Sequence, residues 1–132
     1  MLETLRIQNI ALIDEAEVEF RGGFNALTGE TGAGKSILIG ALNLVLGARA
    51  SSEVLREGAD RASVEAVFRL KKPSRRLNAL LREHEIALED GALLVSRVVH
   101  ADGRSKAYAG GVMVPVSVLA AIGDELVDLH GQ

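Results

Sequence analysis

Gly29-Glu30-Thr31-Gly32-Ala33-Gly34-Lys35-Ser36 fulfils the pattern G-x-x-x-x-G-K-[ST] in full. Each position of that pattern has a chemical task. The glycines let the backbone curl with its N–H groups turned inward, a ring of donors for phosphate oxygens. Lys35 reaches the β- and γ-phosphates, and the Ser36 hydroxyl is a ligand for Mg²⁺. A helix starting at this point adds the positive end of its dipole. The chemistry implied is capture of a nucleoside triphosphate. The bland alternative is a glycine-rich turn that contains Lys-Ser by accident.

Hydrolysis asks for more: a carboxylate to hold metal-bound water, a group to position the attacking water, and usually a cation for the transition state. The carboxylate should end an apolar strand, and no Asp or Glu fits. Leu126-Val127-Asp128-Leu129-His130 comes nearest, but Asp128 falls inside the expected strand and reads as structural or peripheral. Gln132 is a better candidate, because an amide just beyond a core strand can reach bound Mg²⁺ and orient water. By position alone it reads more readily as a solvent-exposed terminal side chain. Arg56, in Val54-Leu55-Arg56-Glu57-Gly58, can offer positive charge to phosphates, although spacing alone favours an ordinary surface arginine. The chain lacks the Asn-Lys-x-Asp that reads guanine, which disfavours a GTPase.

Arg69 to Arg76 packs five cations into eight positions. Such a run can touch DNA phosphates, but a solvated strand-to-helix connection is the favoured reading. His84, His100 and His130 have no metal-ligand spacing, and His84, following an apolar helical stripe, reads as a packing residue.

The elements that must position these groups are legible in the periodicity. Residues 24–28 read as a short buried strand running into the glycine loop, and 35–46 as a helix closed by Gly47 in the left-handed conformation. That order, strand then loop then helix, is the context the motif requires. The helix is apolar nearly all round, so burial on most sides is expected. Two alternating strands come first, at 2–8 and 14–20, with Ala16, Val18 and Phe20 opposed to Glu15, Glu17 and Glu19. Beyond the helix, 48–61 reads as a surface loop and 63–70 as a strand with Val64, Ala66, Phe68 and Leu70 inward. Pro73-Ser74 starts a helix carrying Leu77, Leu80 and Leu81. A strongly apolar strand at 92–100 turns at Asp102-Gly103 into another at 105–109. A short helix at 117–122 ends at Gly123, and 126–129 forms a last buried strand. A core-like strand at the end leaves an uncovered edge, from which the chain reads as a piece of a longer protein.

Composition bounds the rest. With 132 residues, 48% of them apolar and 25% charged, the chain is one domain or part of one, with a real core. Three Phe, one Tyr and no Trp do not make an aromatic platform for single-stranded nucleic acid. A net charge of −3 is a poor match to a dedicated nucleic-acid-binding surface. Without cysteine there are no disulfides, thiolate metal sites or cysteine nucleophiles. No apolar run approaches membrane-spanning length and the N-terminus lacks the shape of a signal peptide, so a soluble cytoplasmic protein is expected.

Taken together, these segments resemble the RecN family, bacterial DNA-repair relatives of SMC proteins. Residues 2–13 look like that family's opening strand and turn, and Asn25 to Leu38 like its phosphate loop, whose Gly-Glu-Thr wording differs from the Pro-Asn-Gly usual in SMC proteins. Gly103-Arg104-Ser105-Lys106-Ala107-Tyr108 and Leu126 to Gln132 complete the match. Ala109-Gly110-Gly111 departs from it where the family tends to have Asn-Gly. The resemblance implies an α/β fold of P-loop NTPase type: residues 1–132 as the N-terminal lobe of an ABC/SMC-type head, with an antiparallel β subdomain around the nucleotide core. It implies ATP and Mg²⁺ as cofactors, Gln132 as the Q-loop glutamine, and Arg56 as the arginine placed near the nucleotide. The implied partners are a C-terminal lobe of the same protein, a second head in an ATP-sandwiched homodimer, and DNA, with no membrane. A cytoplasmic, nucleoid-associated ATPase of double-strand break repair and recombination would result. A self-contained small-molecule kinase, or an assembly domain with a vestigial nucleotide site, are the other classes.

Overall fold

The computed structural model describes residues 2–20, 32–50 and 52–130, with the backbone alone at 32–35, 52 and 127–130. Six strands form one sheet in the order β2-β1-β3-β4-β5-β6, every neighbouring pair antiparallel. In chain order the elements are β1 (Leu2–Ile10), β2 (Ile13–Glu19), α1 (Gly32–Val45), a 3₁₀ turn (Ser52–Val54), β3 (Arg61–Arg69), α2 (Arg75–Glu83), β4 (Ala92–His100), β5 (Ser105–Ala109), β6 (Val112–Val114) and α3 (Val116–His130).

Period-two alternation fixes which face is inside. Leu5 and Ile7 of β1, Val64, Ala66 and Phe68 of β3, and Leu93, Val95 and Val99 of β4 are buried. Helical residues complete the same cluster: Ala41, Leu44 and Val45 from α1, Leu77 and Leu81 from α2, Leu119, Ile122 and Leu126 from α3. The outward side chains pair across strands, as Arg6 does with Glu17 at 2.8 Å and Arg69 with Glu3 at 2.6 Å. Among the described residues no helix is long and apolar enough to cross a membrane.

The two strands ahead of the glycine motif, the inward residues of β3, and the hairpin at Asp102-Gly103 stand as the sequence predicts. Ser74 caps α2, its hydroxyl accepting from the Leu77 N–H. Gly47, at φ +101°, ends α1 with paired bonds: its own N–H donates to the Leu44 carbonyl, and the Ala48 N–H to that of Asn43.

Three expectations are corrected. Residues 126–129 are not a strand; they belong to α3, because Leu119, Ile122 and Leu126 recur at spacings of three and four and are all buried. The uncovered strand edge inferred there does not exist. Gly123 does not end a helix either. It lies inside α3 where a Cβ would stand 2.3 Å from the Leu46 carbonyl oxygen, so only glycine lets α1 and α3 approach this closely. Finally, α1 buries one side rather than most: Ser36, Ile39, Gly40 and Asn43 are exposed. The three-residue β6, following the Gly110-Gly111 turn, was too short to leave a period.

Candidate functional site

Helix α1 begins at Gly32, inside the glycine motif. Gly32, Ala33, Gly34 and Lys35 therefore form its first turn, whose N–H groups have no partner within the helix. That turn carries no acidic side chain to occupy the positive end of the dipole. Ser36 follows, exposed. Gly29, Glu30, Thr31, the expected strand at 24–28 and Gln132 lie outside the described residues. For Asp128 the backbone places it in the last turns of α3, in a helix and not at a strand end.

From Ile37 to Leu44, α1 rests against the end of the β1–β2 hairpin. Ile37, Gly40, Ala41 and Leu44 share an apolar cleft with Ile10, Ala11 and Val54. The segment bearing Arg56 is stitched to the same place. The Ala11 N–H donates to the Val54 carbonyl at 2.9 Å, and the Arg56 N–H to the Asn9 carbonyl at 2.8 Å. Asn9 and Ala11 adopt φ of 57° and 52°, left-handed values that turn the chain back toward this loop. The Arg56 guanidinium, half exposed, stands 3.9 Å from Asp14. So loose a pairing leaves its charge available to an anion.

The basic run from Arg69 to Arg76 divides between elements. Arg69 ends β3, held by Glu3 and by the Asp90 carbonyl. Arg76, on α2, lies 3.7 Å from Glu125 of α3, and Lys71, Lys72 and Arg75 point into solvent. His84 caps the end of α2, its N–H donating to the Leu80 carbonyl and its ring only a quarter exposed.

Sequence reasoning missed Arg97. It occupies the inward phase of β4, between Val95 and Val99, and is 2% exposed. Its Nη1 donates to the carbonyls of Leu44 at 2.9 Å and Ala48 at 2.8 Å, and its Nη2 to the Ser105 hydroxyl at 3.2 Å. Nε has no partner among the described residues. Burial pulls the Arg97 pKa below the usual arginine value, although no protein environment makes arginine a useful base. The available signal was the register: a cation in the inward phase of an otherwise apolar strand.

The profile of the AAA domain family matches residues 4–99. The chain belongs to the AAA domain family. Within it, the resemblance to RecN holds in full-length comparison of this chain. It is 49% identical over 129 residues to the DNA repair protein RecN of Streptomyces coelicolor, covering 97% of this chain and 22% of that protein. Identity to the DNA repair protein RecN of Vibrio cholerae is 41%, over all of this chain and 24% of that one. The chain thus spans about a quarter of the length of the curated relatives it matches. Among solved structures, an SMC ATPase studied for ATP-driven dimerisation superposes with a TM-score of 0.71 at 22% identity, over 96% of this chain and 79% of that one. The recombination mediator RecF gives 0.65 at 15% identity, over 90% and 29%. This AAA domain has the fold of SMC-type heads.

Proposed function

We propose that residues 1–132 are the ATP-binding N-terminal lobe of an SMC-like ATPase head acting in DNA double-strand break repair and recombination. The observation that carries this reading is the start of α1 inside the motif, which leaves the N–H groups of its first turn without partners in the helix and free to bind an anion. Gly29 to Gly34 would cradle the triphosphate, and Lys35 would neutralise its β- and γ-oxygens. Magnesium binds through few protein oxygens together with phosphates, and the exposed Ser36 hydroxyl, near the start of α1, offers one. Gln132 would reach the metal and orient the attacking water, and Arg56 would add charge from the loop fastened to β1. Mg²⁺, when bound, supplies charge neutralisation on the phosphates.

The repair role comes from the RecN relatives, and head pairing from the SMC structure. In the intact protein a C-terminal lobe would complete each site, two heads would engage around two ATP molecules, and hydrolysis would release them on DNA. The cytoplasm, at the nucleoid, is where such a protein would work. The SMC-type fold favours this reading over a self-contained kinase, for which the sequence offers neither an arginine lid nor an acceptor pocket.

ATP turnover of the intact protein tests the reading. Lys35→Ala is expected to lower it by about 100-fold or more, the scale of losing one preorganised charge at the transition state. Unchanged hydrolysis in that variant would refute it.

A further inference from the structure

We infer that Arg97 is a positioning residue for the phosphate-binding loop: by holding the far end of α1 against the sheet, it sets where the amides at the near end stand. The inference rests on the ATP-binding reading of that near end.

A guanidinium removed from water needs compensation, since burying a charge is costly unless it is paired or fully hydrogen-bonded. Arg97 is almost wholly buried, and no carboxylate lies within ion-pair distance of it among the described residues. Its compensation is the end of α1. The Leu44 carbonyl is in the last turn of that helix and the Ala48 carbonyl just past its cap. Helix C-termini carry partial negative charge and unpaired carbonyls, and α1 has no basic residue of its own in its last turn. Arg97 supplies that cation from another element, 53 residues along the chain. It stands on a rigid base, because β4 is paired on both sides, to β3 and to β5, and Ser105 of β5 holds the second guanidinium nitrogen.

Two further contacts make the same end of α1 a fixed point. A Cβ on Gly47 would meet the Ala120 backbone at 2.4 Å, and one on Gly123 the Leu46 carbonyl oxygen at 2.3 Å. Here α1 is wedged against α3 with no spare room. A 14-residue helix is a stiff rod of about 21 Å. A displacement at the anchored end is therefore transmitted to the amides at the other. Without Arg97, α1 samples displaced positions, and apparent affinity for the triphosphate falls in proportion to the fraction still correctly placed.

The test compares full-length wild-type protein with Arg97→Met, Arg97→Lys and Lys35→Ala. Two quantities are read: the Kd for a fluorescent ATP analogue with Mg²⁺, and hydrogen exchange of the α1 amides without nucleotide. For Arg97→Met the Kd is expected to rise about tenfold, as when the competent fraction drops to about a tenth. The α1 amides should exchange faster while those of β3 and β4 keep their protection. Arg97→Lys keeps the charge but cannot span both carbonyls and Ser105, so an intermediate Kd is expected. If Arg97→Met does not fold, this lysine variant decides. A folded Arg97 variant with wild-type Kd, or with wild-type α1 exchange, would overturn the inference. Should Lys35→Ala bind the analogue as wild type does, the ATP reading fails, and α1 exchange still decides whether Arg97 anchors the helix.

Discussion

Ser74 does two things with one hydroxyl. It accepts from the Leu77 N–H at 3.0 Å, capping α2, and donates to Glu125 of α3 at 2.7 Å. Removing it leaves the Leu77 amide without its cap and takes one hydrogen bond from the largely buried Glu125 carboxylate, which keeps Arg76 at 3.7 Å. Ser74→Ala is therefore expected to cost about 1–2 kcal/mol, at the upper end for a cap, measured by urea unfolding. A second residue-scale effect depends on pH. The hydrogen bond from Arg69, reinforced by its charge, holds the Glu3 carboxyl below the usual glutamate value. The folded state thus binds that proton less readily than the unfolded chain. The pair's contribution is complete above the ordinary glutamate value and is lost as pH falls through the lower, folded one. Glu3→Gln should lower the urea midpoint slightly at neutral pH, both partners being partly exposed. In strong acid the variant and wild type should coincide; a gap that persists there would assign the effect to something other than this ion pair.

At the scale of elements, the close approach of α1 and α3 makes a sharp comparison. Gly123→Ala forces a Cβ against the Leu46 carbonyl, an overpacking expected to cost about 1–3 kcal/mol. Gly58→Ala has open space around it and meets only the strain of φ +84°, about 1–2 kcal/mol. Nucleotide affinity separates the two: Gly123→Ala displaces α1 and should weaken binding, while Gly58→Ala should leave it unchanged. Equal affinities would mean that α1 tolerates the shift. These elements also show what periodicity can and cannot report. The strands β1 to β3 were legible because their side chains alternate between a wetter and a drier face, and β4 because it is a long apolar run. The last turns of α3 were not, since a short apolar run such as Leu126-Val127 suits strand or helix. Only the burial of Leu119, Ile122 and Leu126 together decides for the helix.

At the scale of the whole molecule, the apolar character that the sequence shows all round α1 divides: Ile37, Leu38 and Leu42 pack partly against the core, while Ile39 is exposed among the described residues. We expect ATP to raise the scattering mass of the intact protein toward that of a dimer, and Lys35→Ala to abolish the change. The 132 residues alone should show little or no turnover. Robust hydrolysis from them would place a full catalytic set within this chain.

The sequence alone carried the expectation of phosphate chemistry at Gly29 to Ser36, since a motif of that length specifies glycines, charge and hydroxyl without reference to distant residues. It also determined which side chains of β1, β2 and β3 face inward, because alternation is a local property of the chain. Tertiary structure decided what Gly123 and Arg97 do. One looked like a helix stop and the other like an unremarked charge in an apolar strand. Each has its meaning in a contact with α1, made by residues far apart in sequence, and no local pattern encodes the approach of two elements.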